Sequence, residues 1–303
     1  MTIDKDKVRG ALLRYIERYP SQNKAAASLK GVSAATVSAI VNGKYDMIGD
    51  DMWRQVATQV GVVSDDWVIV DTTAFVEITT ALEDAQELRN VLWIVGEAGC
   101  GKTTAGKTYS REHREAFYIQ CSEELKRGDF LREIARVVGV KVGGGASISE
   151  MWHMIIDSLI SMDRPLLIFD EADKLTEQVF QYFVSMYNKL EEHAGIIFMS
   201  TDYICRRMEN GLRYERKGYK EFYSRIGRKY FILDPAKTSD VAAICRANGV
   251  TDEKEIRKVL QESGTEVKVF GKKKREVEGV SVEYDFRRVK KSVKRTLLLK
   301  GNV

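Results

Sequence analysis

The 303-residue chain has only three prolines and three histidines, and its four cysteines, Cys100, Cys121, Cys205 and Cys245, lie far apart. With no Cys-x-x-Cys pair and so few histidines, a zinc site has no ligand set. A disulfide framework has no basis either, and buried free thiols are expected. There is no Pro-, Gln- or Ser-rich tract, so no long disordered tail is predicted. No apolar run approaches the ~18 residues of a membrane span. The opening residues MTIDKDKVRG are charged where a secretory leader would be apolar. A cytoplasmic protein without membrane contact is expected. Net charge is only +4, but it is unevenly spread: residues 264–303 hold 12 Lys/Arg against 5 Asp/Glu. A basic end on a near-neutral body suggests contact with a polyanion, although such a run is often a solvated face.

A hydrophobic content of 44% suffices for packed cores, and the length allows about two domains of ~150 residues. Residues 1–61 read as a small all-α domain of four short helices. Over 7–19, Val8, Ala11, Leu12, Tyr15, Ile16 and Tyr19 recur at helical spacing, and Pro20 stops the run. Ser21 caps a second helix over 22–29. After a turn at Gly31, Ser33 caps a third over 34–41, and a fourth covers 51–60. Residues 62–74 read as a linker. Over 75–235, apolar β-rich runs at 91–95, 116–120, 166–169, 196–199 and 230–233 alternate with amphipathic stretches at 102–114, 129–138, 148–161 and 177–192. That alternation predicts an α/β domain whose parallel sheet is flanked by helices. Residues 236–303 read as a helical lid. It is broken over 266–284 by two β-like runs around GKKKRE, which form either a basic hairpin or a loop.

The most specific motif is Gly96-x-x-x-x-Gly101-Lys102-Thr103, preceded by a strand and followed by a helix. A loop of Gly96, Glu97, Ala98, Gly99, Cys100 and Gly101 turns its backbone N–H groups toward the β- and γ-phosphates of a nucleoside triphosphate. The helix N-terminus, with Thr104 in its first turn, points at the same charge. Lys102 supplies a point charge and the Thr103 hydroxyl a ligand for Mg²⁺, so ATP and Mg²⁺ are the expected cofactors. A second motif, PLLIFDEAD, ends an apolar strand in Asp170 and Glu171. Asp170 is suited to holding Mg²⁺ and Glu171 to polarising the attacking water. Two adjacent carboxylates beside a core repel each other, and a bound cation would remove that cost. In GIIFMSTD, Thr201 ends a strand where a polar residue can sense the γ-phosphate; an ordinary strand cap is the plainer alternative. Arg225 and Arg228 precede the last strand, as a finger reaching a neighbouring subunit would, or as surface ion-pair partners.

The order of these motifs, followed by a helical lid, resembles the AAA+ ATPases. The resemblance assigns Arg287, in YDFRRV, to the lid's nucleotide-sensing arginine, although Asp285 and Phe286 replace the commoner Gly-x-x-Arg form. The front end, NKAAASLKGVSAATVSAIVNGKY, resembles a repressor-type helix-turn-helix. Ser33, Thr36 and Ser38 could bond phosphates or bases, and Lys44 a phosphate. The outward face lacks the Arg, Gln and Asn that usually read bases, which argues for weakly specific DNA contact.

A helix-turn-helix followed by one AAA+ module resembles the B-protein family of Mu-like transposing phages. Short pieces carry the likeness: TVSAIVNGKY, FVE at 75–77, GKT, DEAD and SRI at 224–226. The resemblance implies ATP-dependent helical self-assembly on double-stranded DNA in the nucleoid of a bacterial host, recruitment of a transposase, and disassembly on hydrolysis. The finger, Arg225 or Arg228, would complete a neighbour's site. Phosphate contacts would come from Lys126, Arg127 and Lys141, with 272–275 and 290–295 as weaker candidates. Two rivals remain open. A helicase loader would favour single strands. A sequence-specific transcription regulator would bind tightly through residues 1–61 alone.

Overall fold

The computed structural model describes residues 4–62, 67–270 and 277–300. The chain opens with α1 (Lys5–Glu17), α2 (Gln22–Ser28), α3 (Ala34–Val41) and α4 (Asp50–Gln59). Side chains of Asp4, Ser21 and Ser33 accept hydrogen bonds from first-turn backbone N–H groups and start the first three helices. Val8, Leu12, Val37, Ile40, Trp53 and Val56 are buried together and form a small core of their own.

The body contains α5 (Thr73–Leu88), β1 (Val91–Val95), α6 (Lys102–Glu112), β2 (Ala116–Gln120), α7 (Arg127–Val138), α8 (Ile148–Ile160) and β3 (Leu166–Asp170). It continues through α9 (Glu177–Leu190), β4 (Gly195–Ser200), α10 (Tyr203–Arg213), α11 (Tyr219–Arg225) and β5 (Phe231–Ile232). The strands form one parallel sheet in the order β2-β3-β4-β1-β5. Period-two alternation sends Trp93, Phe117, Phe169 and Phe198 to one face, packed with residues of α7, α8 and α9. Ile94, Ile168 and Met199 go to the other, against α5 and α6. Both faces are therefore covered, and the central strands read as unbroken apolar runs. The last strand, expected over 230–233, pairs with β1 only at Phe231 and Ile232. It is a sheet edge, and Ile232 is 70% exposed.

The lid comprises α12 (Thr238–Ala247), α13 (Glu253–Ser263) and α14 (Phe286–Lys300). Val241, Cys245, Val259, Val289 and Val293 form its core. Between α13 and α14, β6 (Gly264–Phe270) and β7 (Val277–Tyr284) pair antiparallel. The expected break is thus a hairpin, while the basic run at 272–275 lies outside the described residues.

The helical front end docks on the body, which the sequence did not suggest. Tyr19 and Ala25 are buried in the main core of the α/β body rather than in the front end's own. Tyr19 Oη donates to the Val137 carbonyl at 2.9 Å, and Glu115 N donates to the Arg18 carbonyl at 3.0 Å. The Arg18 guanidinium donates to the Ser110 carbonyl, and that of Arg136 to the Ser28 carbonyl. Among the described residues, no helix is long and apolar enough to cross a membrane.

Candidate nucleotide site

The C-terminal ends of β1, β3 and β4 converge because β4 runs between the other two. The loop after β1 reaches α6 through Gly99 and Gly101, with φ of 81° and 106°. A side chain at Gly99 would be excluded twice: its backbone is left-handed, and a Cβ would lie 2.2 Å from Asp285 Oδ1. The lid presses on the loop at this point, where Phe286 N donates to the Gly99 carbonyl at 3.0 Å.

Lys102 is buried, and its Nζ donates to the carbonyls of Gly96 (2.6 Å) and Glu97 (2.9 Å). A phosphate entering the loop would compete with these two partners for the ammonium. Asp170 is 1% exposed, yet it is well satisfied. Its Oδ2 accepts from Thr103 Oγ1 and from Tyr118 Oη, both at 2.6 Å, and its Oδ1 accepts from Glu171 N at 3.0 Å. Glu171 has a left-handed φ of 55° and accepts from Lys174 Nζ at 2.9 Å. Partial burial would raise its carboxyl pKa, but the Lys174 hydrogen bond and charge, together with Gln120 and the Arg287 charge, outweigh this and hold it below the usual carboxylate range. Each of the two adjacent carboxylates thus has hydrogen-bond donors of its own within the chain. Thr201 Oγ1 donates to Asp173 Oδ2 at 3.0 Å. Burial raises the Asp173 carboxyl pKa, and this bond only partly counters it.

These groups open onto a cavity of about 450 Å³, in the range of small-ligand pockets. Ala98, Gly99, Gly101, Lys102, Thr103, Thr104, Asp170, Glu171, Thr201 and Arg287 line it. Gly96 and Glu97 act from behind, through their carbonyls, and Cys100 is buried beneath the loop. The Thr103 hydroxyl and Asp170 carboxylate form an oxygen pair at the head of α6. Such a set fits Mg²⁺, which keeps waters and takes phosphate oxygens for the rest of its shell.

Arg225 and Arg228 do not line this cavity. The Arg225 guanidinium donates to Asn188 Oδ1 at 3.0 and 3.2 Å and lies 5.4 Å from the Tyr187 ring centroid. Arg228 is exposed, with φ of 58°. In the front end, Ser33 Oγ lies 2.8 Å from Thr36 Oγ1, and Ser38 Oγ accepts from Asn42 Nδ2 at 3.2 Å. Lys44 is exposed. On the body, Lys126 and Lys141 are exposed, while Arg127 donates to Tyr182 Oη at 2.8 Å. Lys290 lines the cavity, so part of the 290–295 run belongs to the lid's inner face.

Several contributors escaped the sequence reading. Residues Trp67, Val68, Ile69, Val70 and Thr72, expected as linker, form a cavity wall with Phe75 and Ile244. Asn248 fastens this wall to the lid, accepting from Val68 N at 2.8 Å and donating to the Val68 carbonyl at 3.0 Å. The apolar run WVIV is the signal that marks it, since a solvated linker has no use for four such residues. Tyr118 and Lys174 were also missed, because neither belongs to a motif, and Asp173, the last residue of PLLIFDEAD, was given no role there because its partner Thr201 lies on a distant segment.

Residues 85–208 match the AAA domain family. The chain is 24% identical over 266 residues to the ATP-dependent target DNA activator B of Escherichia phage Mu, covering 84% of this chain and 81% of that one. The protein of the same name from Escherichia phage D108 is 23% identical with the same coverage. Among solved structures, Cdc6p from Pyrobaculum aerophilum superposes with a TM-score of 0.48 at 15% identity, over 65% of this chain and 57% of that one. The Aeropyrum pernix ORC1 protein in complex with DNA gives 0.47 at 18% identity, over 65% and 56%. Both matches span little more than half of those chains. The stretch that matches the AAA domain holds the glycine-rich loop and strands β1 to β4 of the parallel sheet, and the chain is similar over most of its length to the target DNA activators B of these two phages.

Proposed function

We propose that this protein is an ATPase that assembles on double-stranded DNA in its ATP state, recruits and stimulates a transposase, and leaves the DNA after hydrolysis. The observation that carries the nucleotide half is the convergence of Lys102, Thr103, Asp170, Glu171, Thr201 and Arg287 on one cavity. The adenine would lie against Val68, Ile69, Phe75 and Ile244. The phosphates would run along the loop to the N-terminus of α6. Lys102 would exchange its two carbonyls for phosphate oxygens, and Arg287 would bring the lid's charge to the same end. When bound, Mg²⁺ neutralises charge on the phosphates, and Thr103 and Asp170 are the residues that would hold it. Glu171 orients the attacking water and takes its proton, while Thr201 holds the water from the β4 side.

The DNA half is supported by the relatives, which are named as ATP-dependent target DNA activators. Arg225 and Arg228 lie outside the chain's own cavity, as residues that complete a neighbour's site would. Lys126, Arg127, Lys141 and Lys44, with Ser33, Thr36 and Ser38, are the proposed DNA contacts. Electron microscopy with duplex DNA tests the proposal. ATP-dependent filaments, absent with ADP and with Lys102→Ala, are expected. Monomers on DNA in every nucleotide state would refute it.

A further inference from the structure

We infer that Tyr118 is a positioning residue for Asp170, locking its carboxylate in the orientation that a divalent cation needs. The inference rests on the nucleotide reading above and extends it to a residue outside every motif. One oxygen, Asp170 Oδ2, accepts two hydroxyl protons at 2.6 Å, from Thr103 and from Tyr118. The two donors differ in what they can do next. Thr103 lines the cavity and would turn its oxygen to the cation, so its bond to Asp170 is open to change. Tyr118 does not line the cavity, so its bond can persist in both states.

The rest of the fold holds the ring in place. Tyr118 lies on β2 opposite Ile168, two residues before the Gln120–Asp170 pair, so its side chain projects from the α6 face of the sheet. Gly106 of α6 leaves room for it: a Cβ there would come within 3.3 Å of the Tyr118 ring and 2.8 Å of the Met199 methyl. The next residue, Lys107, places its ammonium 5.3 Å from the ring centroid. Thus Tyr118 is gripped by the helix that starts at Lys102 and Thr103, and its hydroxyl grips the strand that ends at Asp170. A carboxylate that loses such an outer partner turns about its terminal torsion and presents a poorer oxygen. Loss of an outer partner of this kind typically costs a metal site about 10–100-fold in affinity.

The test is equilibrium ATP binding by the full chain, unsubstituted and as Tyr118→Phe, titrated with Mg²⁺ and repeated in EDTA. Phenylalanine keeps the ring, its contact with Gly106 and its contact with Lys107, and removes only the hydroxyl. The Mg²⁺ concentration giving half-maximal enhancement of ATP binding is expected to rise about ten-fold or more. ATP affinity in EDTA is expected to stay as it was, and the thermal midpoint in EDTA to fall only by what the loss of one hydrogen bond gives. An unchanged Mg²⁺ requirement overturns the inference. So does a loss of ATP affinity or thermal stability in EDTA that accounts for the whole effect, because that is what a packing role gives. If the unsubstituted chain binds no ATP at any Mg²⁺ concentration, the nucleotide reading itself falls, an outcome plainly different from normal binding that the substitution leaves untouched.

Discussion

Lys174 Nζ sits 2.9 Å from Glu171 Oε2, an ion pair between the proposed catalytic base and a lysine three residues on. The same short 3₁₀ turn supplies Asp173, which holds Thr201 at 3.0 Å. Both polar groups proposed to handle the attacking water are thus restrained by one turn. Lys174→Met is expected to raise DNA-free ATP hydrolysis roughly two- to five-fold, the ~0.5–1 kcal/mol of a part-exposed ion pair. Phosphate release at saturating ATP checks this. A fall in turnover would instead place Lys174 among the groups that assist the reaction.

Glu171→Gln removes the base and keeps the shape. Hydrolysis should drop by about 100-fold or more, while ATP binding and ATP-dependent assembly persist. Nucleotide binding and turnover, measured on the same preparation, separate the two effects. Equal losses of both would mean that Glu171 serves the fold or the binding of nucleotide.

Gly99→Ala puts a methyl group where Asp285 Oδ1 would be 2.2 Å away, on a backbone with φ of 81°. Relief requires the lid to withdraw from the loop or the loop to change shape. ATP affinity should fall at least about ten-fold, since strain in this φ region costs on the order of 1–3 kcal/mol. Asp285→Ala in the same chain relieves the clash but not the backbone, so recovery should be partial. Full recovery would show that the carboxylate contact alone matters.

Tyr19 places an aromatic ring in the core of the body and a hydroxyl on the Val137 carbonyl. Tyr19→Phe should cost about 1 kcal/mol for the lost hydrogen bond, and Tyr19→Ala about 3–5 kcal/mol for the emptied site. Chemical denaturation of the full chain reads both. A cost near zero for the alanine variant would mean that the front end is not docked in solution.

The same interface predicts an acid dependence. The hydrogen bond from Arg136 holds the Glu133 carboxyl below its ordinary range, against the opposing effect of burial, with help from the Arg136 and Lys30 charges. A carboxylate depressed in the folded state stabilises fully above its unfolded pKa of about 4.3, and that contribution fades as pH falls through the lower folded value. Stability should therefore decline below about pH 4, and the Glu133→Gln variant should lose this part of the slope. Denaturation midpoints at pH 3 to 7, compared between the two chains, give the difference. Parallel curves would exclude Glu133 as a contributor.

The sheet and the glycine-rich loop were legible because each rests on local chemistry. Buried parallel strands read as short apolar runs, and the motif around Lys102 carries its own flanks. The strands at 91–95 and 116–120 fall where alternation and composition place them. What stayed hidden depends on contacts distant in sequence. Tyr118 looks like any strand aromatic until β3 is beside it. Residues 67–72 look like a connector until Asn248, some 180 positions later, fastens Val68 to the lid. The docking of α1 and α2 was illegible for the same reason, since Tyr19 and Ala25 satisfy the helical pattern of a free-standing bundle equally well. Polar partners such as Lys174 escaped because charged residues near a strand end are common and their pairing is set by three-dimensional placement.

Tyr19 and Ala25 also decide where the chain can be divided. The seam in packing does not follow the seam in sequence: cutting near residue 62 would strip two buried side chains from the larger half and leave an apolar scar on its surface. The body without its front end should then be prone to self-association for reasons unrelated to nucleotide or DNA. Conversely, the proposed DNA-facing helix α3 rides on a base that cannot swing freely. The front end is better pictured as a fixed fin than as a tethered reader.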